Sequence, residues 1–109
     1  MPPFANPSLI DSHCHLDSEI WQEELPEVIE RAESVGVTTM VTIGSDDSVA
    51  YAQRAVALAQ TRANIFATVG IHPHNAADCD ASVFEAISEL AQDPNVVGIG
   101  ETGLDYHYD

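Results

Sequence analysis

The chain has 109 residues, enough for one domain with a modest core, and 45% of them are apolar, which excludes disorder as the default state. Its 18 acidic residues stand against three arginines (Arg31, Arg54 and Arg62) and no lysine, for a formal charge of −15. Such a surface repels polyanions at long range, so it argues against a nucleic-acid site that neutralises phosphates with side chains. It leaves open a site where bound cations supply the positive charge locally.

No apolar run approaches the ~20 residues that span a bilayer, so no membrane contact is expected. Met1-Pro2-Pro3-Phe4 has neither a basic n-region nor an apolar h-region and reads as a short extended lead-in rather than a secretory signal. With no export signal and only Cys14 and Cys79, the expectation is a cytoplasmic protein without a disulfide, its thiols serving as packing groups. The acidic excess itself reads as a solvated surface, suited to high salt.

Strand and helix signals alternate along the chain. Ser8, Leu9 and Ile10 open a first strand. Pro26 suits a first helical position; Leu25, Val28, Ile29, Ala32 and Val35 then recur at helical spacing, and Gly36 stops that helix. Residues 38–43 are β-branched and apolar, a buried second strand. Asp46 or Asp47 is expected to cap a second helix that presents Val49, Ala52, Val56 and Ala59 on one face. Residues 64–71 read as a third strand. Asp80 caps a third helix with Val83, Ile87, Leu90 and Ala91 inward, Asp93-Pro94-Asn95 ends it, and residues 96–100 form a fourth strand.

The order is therefore β-α-β-α-β-α-β, with near-continuous apolar strands of the kind found in parallel sheets covered on both faces. The strands begin near positions 8, 38, 64 and 96, a step of about 29 residues, and eight such units would need roughly 235 residues, the size of a (β/α)8 barrel. The expected fold is α/β: the N-terminal half of a (β/α)8 TIM barrel. Residues 1–109 are expected to be the front portion of a single such domain, incomplete without its C-terminal half. Four such strands would leave an open edge at either side, inviting self-association. An inner apolar face drawn from Ile10, Val41, Ile43, Val69 and Ile99, whichever of them point inward, is expected to lack its facing half.

Reactive residue types gather where the strands end. Asp11-Ser12-His13-Cys14-His15-Leu16-Asp17 follows the first strand, Gly70-Ile71-His72-Pro73-His74 the third, and Gly100-Glu101-Thr102-Gly103-Leu104-Asp105 the fourth. The opposite ends carry Asn64 and Asn95 and no histidine. Residues two apart in a strand share a face, so His13 and His15 can reach one divalent ion. Asp11 has the same parity and is placed to fix a ring tautomer, while Cys14 points the other way. Glu101 at a buried strand end needs a partner: one metal, a pair of metals that it bridges, a helix N-terminus or one of the arginines. Pro73 fixes the backbone between His72 and His74, so their rings are expected to diverge, one facing the substrate side. Gly98-Ile99-Gly100-Glu101-Thr102-Gly103 matches G-x-G-x-x-G, but it follows the wrong strand and puts a carboxylate where a pyrophosphate would lie, so no dinucleotide site is expected.

The three blocks, through Tyr106, resemble the N-terminal signatures of the TatD-type deoxyribonuclease family, in the family's order and spacing, from about residue 8 to the end of the chain. The resemblance implies a TIM-barrel hydrolase of the amidohydrolase superfamily that cuts DNA phosphodiesters with metal-activated water. It implies two divalent ions (Mg²⁺, Mn²⁺ or Zn²⁺), with His13 and His15 holding one and Glu101, the catalytic carboxylate, holding or bridging the pair. His72, Asp11 and Asp105 are then substrate-binding or supporting groups, and DNA is the partner, met through the metals. The family completes its site with two histidines and an aspartate on later strands, and His107 lies too close behind Glu101 to replace one of them. By itself the chain is therefore expected to be inactive. Two other readings stay open: an amidohydrolase acting on C–N bonds, although the absence of lysine excludes a modified-lysine version here, and a partial barrel that binds a metal or a partner chain without turnover.

Overall fold

The computed structural model describes residues 8–106, so the lead-in at Met1–Phe4 and His107 lie outside the described residues. Four strands, β1 (Leu9–Cys14), β2 (Val37–Asp46), β3 (Ile65–Ile71) and β4 (Val96–Ile99), alternate with three helices, α1 (Leu25–Ser34), α2 (Val49–Thr61) and α3 (Ala81–Leu90). The strands form one parallel sheet in the order β1-β2-β3-β4. This is the βα succession read from the sequence, three consecutive βα units and a fourth strand of a barrel-type α/β fold.

Local chemistry explains most boundaries. Pro26 lies in the first turn of α1, and Gly36 ends it with φ 98°, a left-handed conformation that costs glycine nothing. The Asp80 carboxylate accepts the Val83 N–H at 2.9 Å and caps α3. At α2 the expectation is corrected. β2 runs on through Gly44, Ser45 and Asp46, which pair with Val69, Gly70 and Ile71, so Asp46 belongs to the strand and Ser48 is the N-cap, without a side-chain capping bond. β1 likewise continues to Cys14 and takes His13 into the sheet.

The core lies between the sheet and its helices. Ile29 of α1, Ala52, Ala55, Val56 and Ala59 of α2, and Met40, Ile65, Ala67 and Val69 of the sheet are all buried. Gly44 lets α2 approach: a Cβ there would lie 2.8 Å from both the Ala52 Cα and the Ala55 Cβ. Because side chains alternate along a strand, Met40, Gly44 and their partners Ile65 and Val69 face the helices, while Val41 and its partner Phe66 face away. The expected inward set is therefore split. Ile10, Val41 and Ile43 lie on the side away from the helices, and Val69, with its partner Ile99, lies on the helix side. Ile10 and Ile99 are exposed, whereas Ile43 is buried.

Candidate metal centre

A parallel sheet puts the carboxyl ends of all its strands along one edge, and this edge collects the reactive residues. His13 leaves the end of β1, His15 follows it, His72 follows β3 and Glu101 follows β4. One ligand atom each from His13, His15 and Glu101 can be chosen so that all lie within 4.8 Å of one another. The His13 and His15 rings stand edge to face, 5.3 Å apart at 80°. The His13 Nε2 is 3.9 Å from Glu101 Oε1, and the His72 Nε2 is 3.5 Å from Glu101 Oε2. The two histidines of the first motif are exposed and Glu101 is half-buried, so the cluster is open to a ligand. Two imidazoles and a carboxylate at this separation fit a divalent ion such as Zn²⁺ or Mn²⁺.

Backbone geometry brings Glu101 into place. Gly70, near the end of β3, has no Cβ; one added there would meet the Gly100 carbonyl oxygen at 2.7 Å and the Glu101 oxygen at 3.2 Å. Glycine alone allows this approach. The Gly100 N–H also donates to the Val69 carbonyl at 3.0 Å, tying the residue before Glu101 to β3. The alternative of an arginine partner is not realised: among the described residues Arg54 pairs with Glu19 at 3.7 Å, and Glu101 faces only histidines.

The supporting residues differ in detail from expectation. Asp11 braces backbone rather than a ring, its Oδ1 accepting the His13 N–H at 3.1 Å. His72 and His74 do not diverge; their rings pack 4.3 Å apart at 67°. What separates them is direction, since the His74 Nε2 meets Asp105 Oδ2 at 3.0 Å while the His72 Nε2 faces Glu101. The short turn Pro73–Asp78 explains the packing: its start folds back so that the His74 N–H donates to the His72 Nδ1 at 3.1 Å. That bond also assigns the tautomer. With Nδ1 accepting, the proton of neutral His72 sits on Nε2, toward the carboxylate.

Three residues not singled out by sequence reasoning stand next to this cluster. Asp17 is buried, and its carboxylate accepts the Thr42 hydroxyl at 2.6 Å. Burial pushes its pKa above the ordinary aspartate range against that hydrogen bond, with His15 and Arg54 pulling the other way. Thr42 is fully buried in β2. A hydroxyl at a position flanked by Met40, Val41 and Ile43 was the available signal, since a buried hydroxyl requires partners. Arg54 of α2 donates Nε to the Asp17 carbonyl at 3.1 Å and lies over the Tyr51 ring at 4.4 Å. Beside them a cleft of about 240 Å³, lined by His15, Asp17, Ser18, Ser45, Asp46 and Tyr51, opens along the same edge of the sheet. Cys14 turns away from the cluster and donates to the Val41 carbonyl at 3.4 Å; burial, aided by the Asp11 charge, pushes its thiol up to about 11.

Residues 10–109 match a family described as TatD related DNase. The chain belongs to that family. Among its relatives, the metal-dependent hydrolase YabD of Bacillus subtilis is 40% identical over 101 residues, covering 93% of this chain and 39% of YabD. Proteins named 3'-5' ssDNA/RNA exonuclease TatD from Shigella flexneri and Klebsiella pneumoniae are each 34% identical over 99 residues, 91% of this chain and 37% of theirs. The chain thus spans about two fifths of the length of these relatives. Among the described residues no helix is long and apolar enough to cross a membrane.

Proposed function

We propose that this chain supplies the first three βα units and the fourth strand, and the first part of the metal site, of a divalent-metal-dependent hydrolase that cuts nucleic-acid phosphodiesters, with DNA as substrate. The convergence of His13, His15 and Glu101 at the carboxyl edge of a parallel sheet carries this reading, and the names of the relatives, a metal-dependent hydrolase and ssDNA/RNA exonucleases, support it. His13 and His15 would hold one ion through their imidazole nitrogens. Glu101, with its second oxygen turned toward His72, is placed to hold that ion or to bridge a pair. When bound, divalent ions supply Lewis acidity: they activate water and neutralise phosphate charge. That charge is what an otherwise acidic chain lacks for a polyanionic substrate.

The chain's own groups divide the remaining work. Asp11 stiffens the backbone at His13. His72 presents a ring N–H to the Glu101 carboxylate and, beyond it, to a substrate oxygen. Asp105 and His74 clasp the segment after β4 to the turn after β3, on the same side as Glu101.

Calorimetry of Zn²⁺ and Mn²⁺ binding tests the reading in the intact protein, beside digestion of single-stranded DNA. His13→Ala, His15→Ala and Glu101→Gln should each weaken metal binding by tenfold or more and abolish metal-dependent cleavage. Unchanged metal affinity in the His13→Ala/His15→Ala double variant would mean that the acidic surface alone holds the ion, and would overturn the proposal.

A further inference from the structure

The hydroxyl of Thr42 uses its whole hydrogen-bonding capacity on two consecutive residues of the β1 exit. It donates to Asp17 Oδ1 at 2.6 Å and accepts the N–H groups of Leu16 at 3.1 Å and Asp17 at 3.3 Å. One donor and two acceptor positions are all that a hydroxyl has. Thr42 is fully buried, and Leu16 and Asp17 are buried as well, so these bonds are made away from water, where leaving one unmade is costly. A fourth bond comes from α2, where the Arg54 Nε donates to the Asp17 carbonyl.

The place of this knot in the chain gives it a consequence. β1 ends at Cys14, whose register partner across the sheet is Thr42. His15 is the next residue and has left the strand, so no ladder bond fixes it. Among the described residues, the Ser18 N–H donates to the His15 carbonyl at 3.3 Å, and the His15 ring stands edge to face with that of His13. The chain is gripped at Cys14 by the sheet and at Leu16–Asp17 by Thr42, with His15 held between.

We propose that Thr42, with Asp17 and Arg54, is a positioning device that sets the His15 imidazole beside His13 and Glu101, so that a side chain of β2 tunes metal affinity without touching the metal. The inference rests on the reading of His15 as a ligand. Supporting groups that orient ligands commonly alter metal affinity by about 10–100-fold when removed.

The test uses the intact protein, with Zn²⁺ calorimetry, the visible absorption of the Co²⁺-loaded form, and amide hydrogen exchange at Leu16 and Asp17 in the metal-free form. Thr42→Val keeps the shape and removes the hydroxyl. It should speed exchange at both amides, lower Zn²⁺ affinity about tenfold and change the Co²⁺ spectrum. Thr42→Ser should restore all three. Arg54→Gln leaves the Thr42 bonds in place, removes the Arg54 tie together with its Glu19 pair and Tyr51 contact, and should lower affinity by a smaller factor, about threefold. Thr42→Val with wild-type Zn²⁺ affinity and Co²⁺ spectrum would overturn the inference, as would Thr42→Ser failing to restore them. If Thr42→Val melts below the assay temperature, Arg54→Gln decides, and unchanged affinity there overturns it. His15→Ala without effect on Zn²⁺ affinity would instead overturn the metal reading itself. Failure of the positioning role alone would leave His15→Ala impaired and Thr42→Val intact.

Discussion

Gly70 lies so close to Gly100 that a Cβ on the first would sit 2.7 Å from the carbonyl oxygen of the second. The contact joins the end of β3 to the residue before Glu101, so the carboxylate's position depends on a missing methyl group. Gly70→Ala should push the β4 exit outward, cost about 1–3 kcal/mol of stability through overpacking, and weaken Zn²⁺ binding. Gly98, on β4, is the control, because its added Cβ would make only an ordinary 3.5 Å contact with the Thr68 Cγ2. Titration calorimetry and thermal melts of both variants check this. Gly98→Ala losing as much metal affinity as Gly70→Ala would show that strand disturbance in general, rather than the Gly70 approach, is responsible.

His72 should prove separable from metal binding. Its Nδ1 is occupied by the His74 N–H, and its Nε2 carries the proton of the neutral ring, so neither nitrogen is offered to a cation without rearrangement. His72→Ala should therefore spare metal content, within about threefold in affinity, while lowering the rate of single-stranded DNA cleavage by about 10²-fold, the range typical for loss of a group that acts only on the reacting phosphate. Elemental analysis beside the cleavage rate decides. Loss of bound metal would make His72 a ligand.

Much of this was legible because the fold and the site use different periodicities. The apolar alternation of strands and helices gave the βα order, and the reactive motifs fell at strand ends where a parallel sheet collects them. The details that escaped depend on register. Whether Asp46 caps a helix or extends a strand was decided by pairing with Ile71, and which of Ile43 and Val69 faces the helices was decided by the contact of α2 at Gly44. Neither is a local property. The Thr42–Asp17 knot joins positions 25 apart in the chain, so each residue alone looked like a polar residue without a task. The His72–His74 contact escaped for another reason: proline was read as a spacer, yet at the first position of a 3₁₀ turn it brings the flanking rings together.

Cys14 should be slow to react although it stands between two histidines of the candidate site. Its thiol is pushed up to about 11 by burial and by the Asp11 charge. At pH 8 the thiolate fraction is then on the order of 10⁻³, and alkylation should rise roughly tenfold per pH unit until the thiol titrates. Cys79, half-buried in the loop before α3 with its thiol 4.0 Å from the Asp80 carbonyl, is the internal reference. Mass-spectrometric mapping after brief iodoacetamide treatment at pH 8 should find Cys79 modified and Cys14 largely intact. Equal labelling would show that the β1 exit opens readily, and would weaken the argument that His15 is held in place.

Residues 1–109 produced alone should associate, and the salt dependence of that association separates two opposing effects. Among the described residues β1 pairs only with β2 and β4 only with β3, so each offers an edge of backbone donors and acceptors to another chain. Ile10 is exposed, on the side of the sheet away from the helices, where Val41 and Phe66 are only half-buried. Both features favour pairing. Against them stands a charge of −15 on each copy, which repels a second copy over the screening length. That length is ~30 Å at 0.01 M salt and ~3 Å at 1 M, so repulsion dominates at low ionic strength and is nearly cancelled at high. The expected result is a monomer that binds a hydrophobic dye in dilute buffer and shifts to dimers or larger species as salt rises. Sedimentation velocity across that range checks it. A chain that stays monomeric at 1 M salt and leaves the dye dark would show that the sheet face and edges are covered by the chain itself, which the exposed Ile10 argues against.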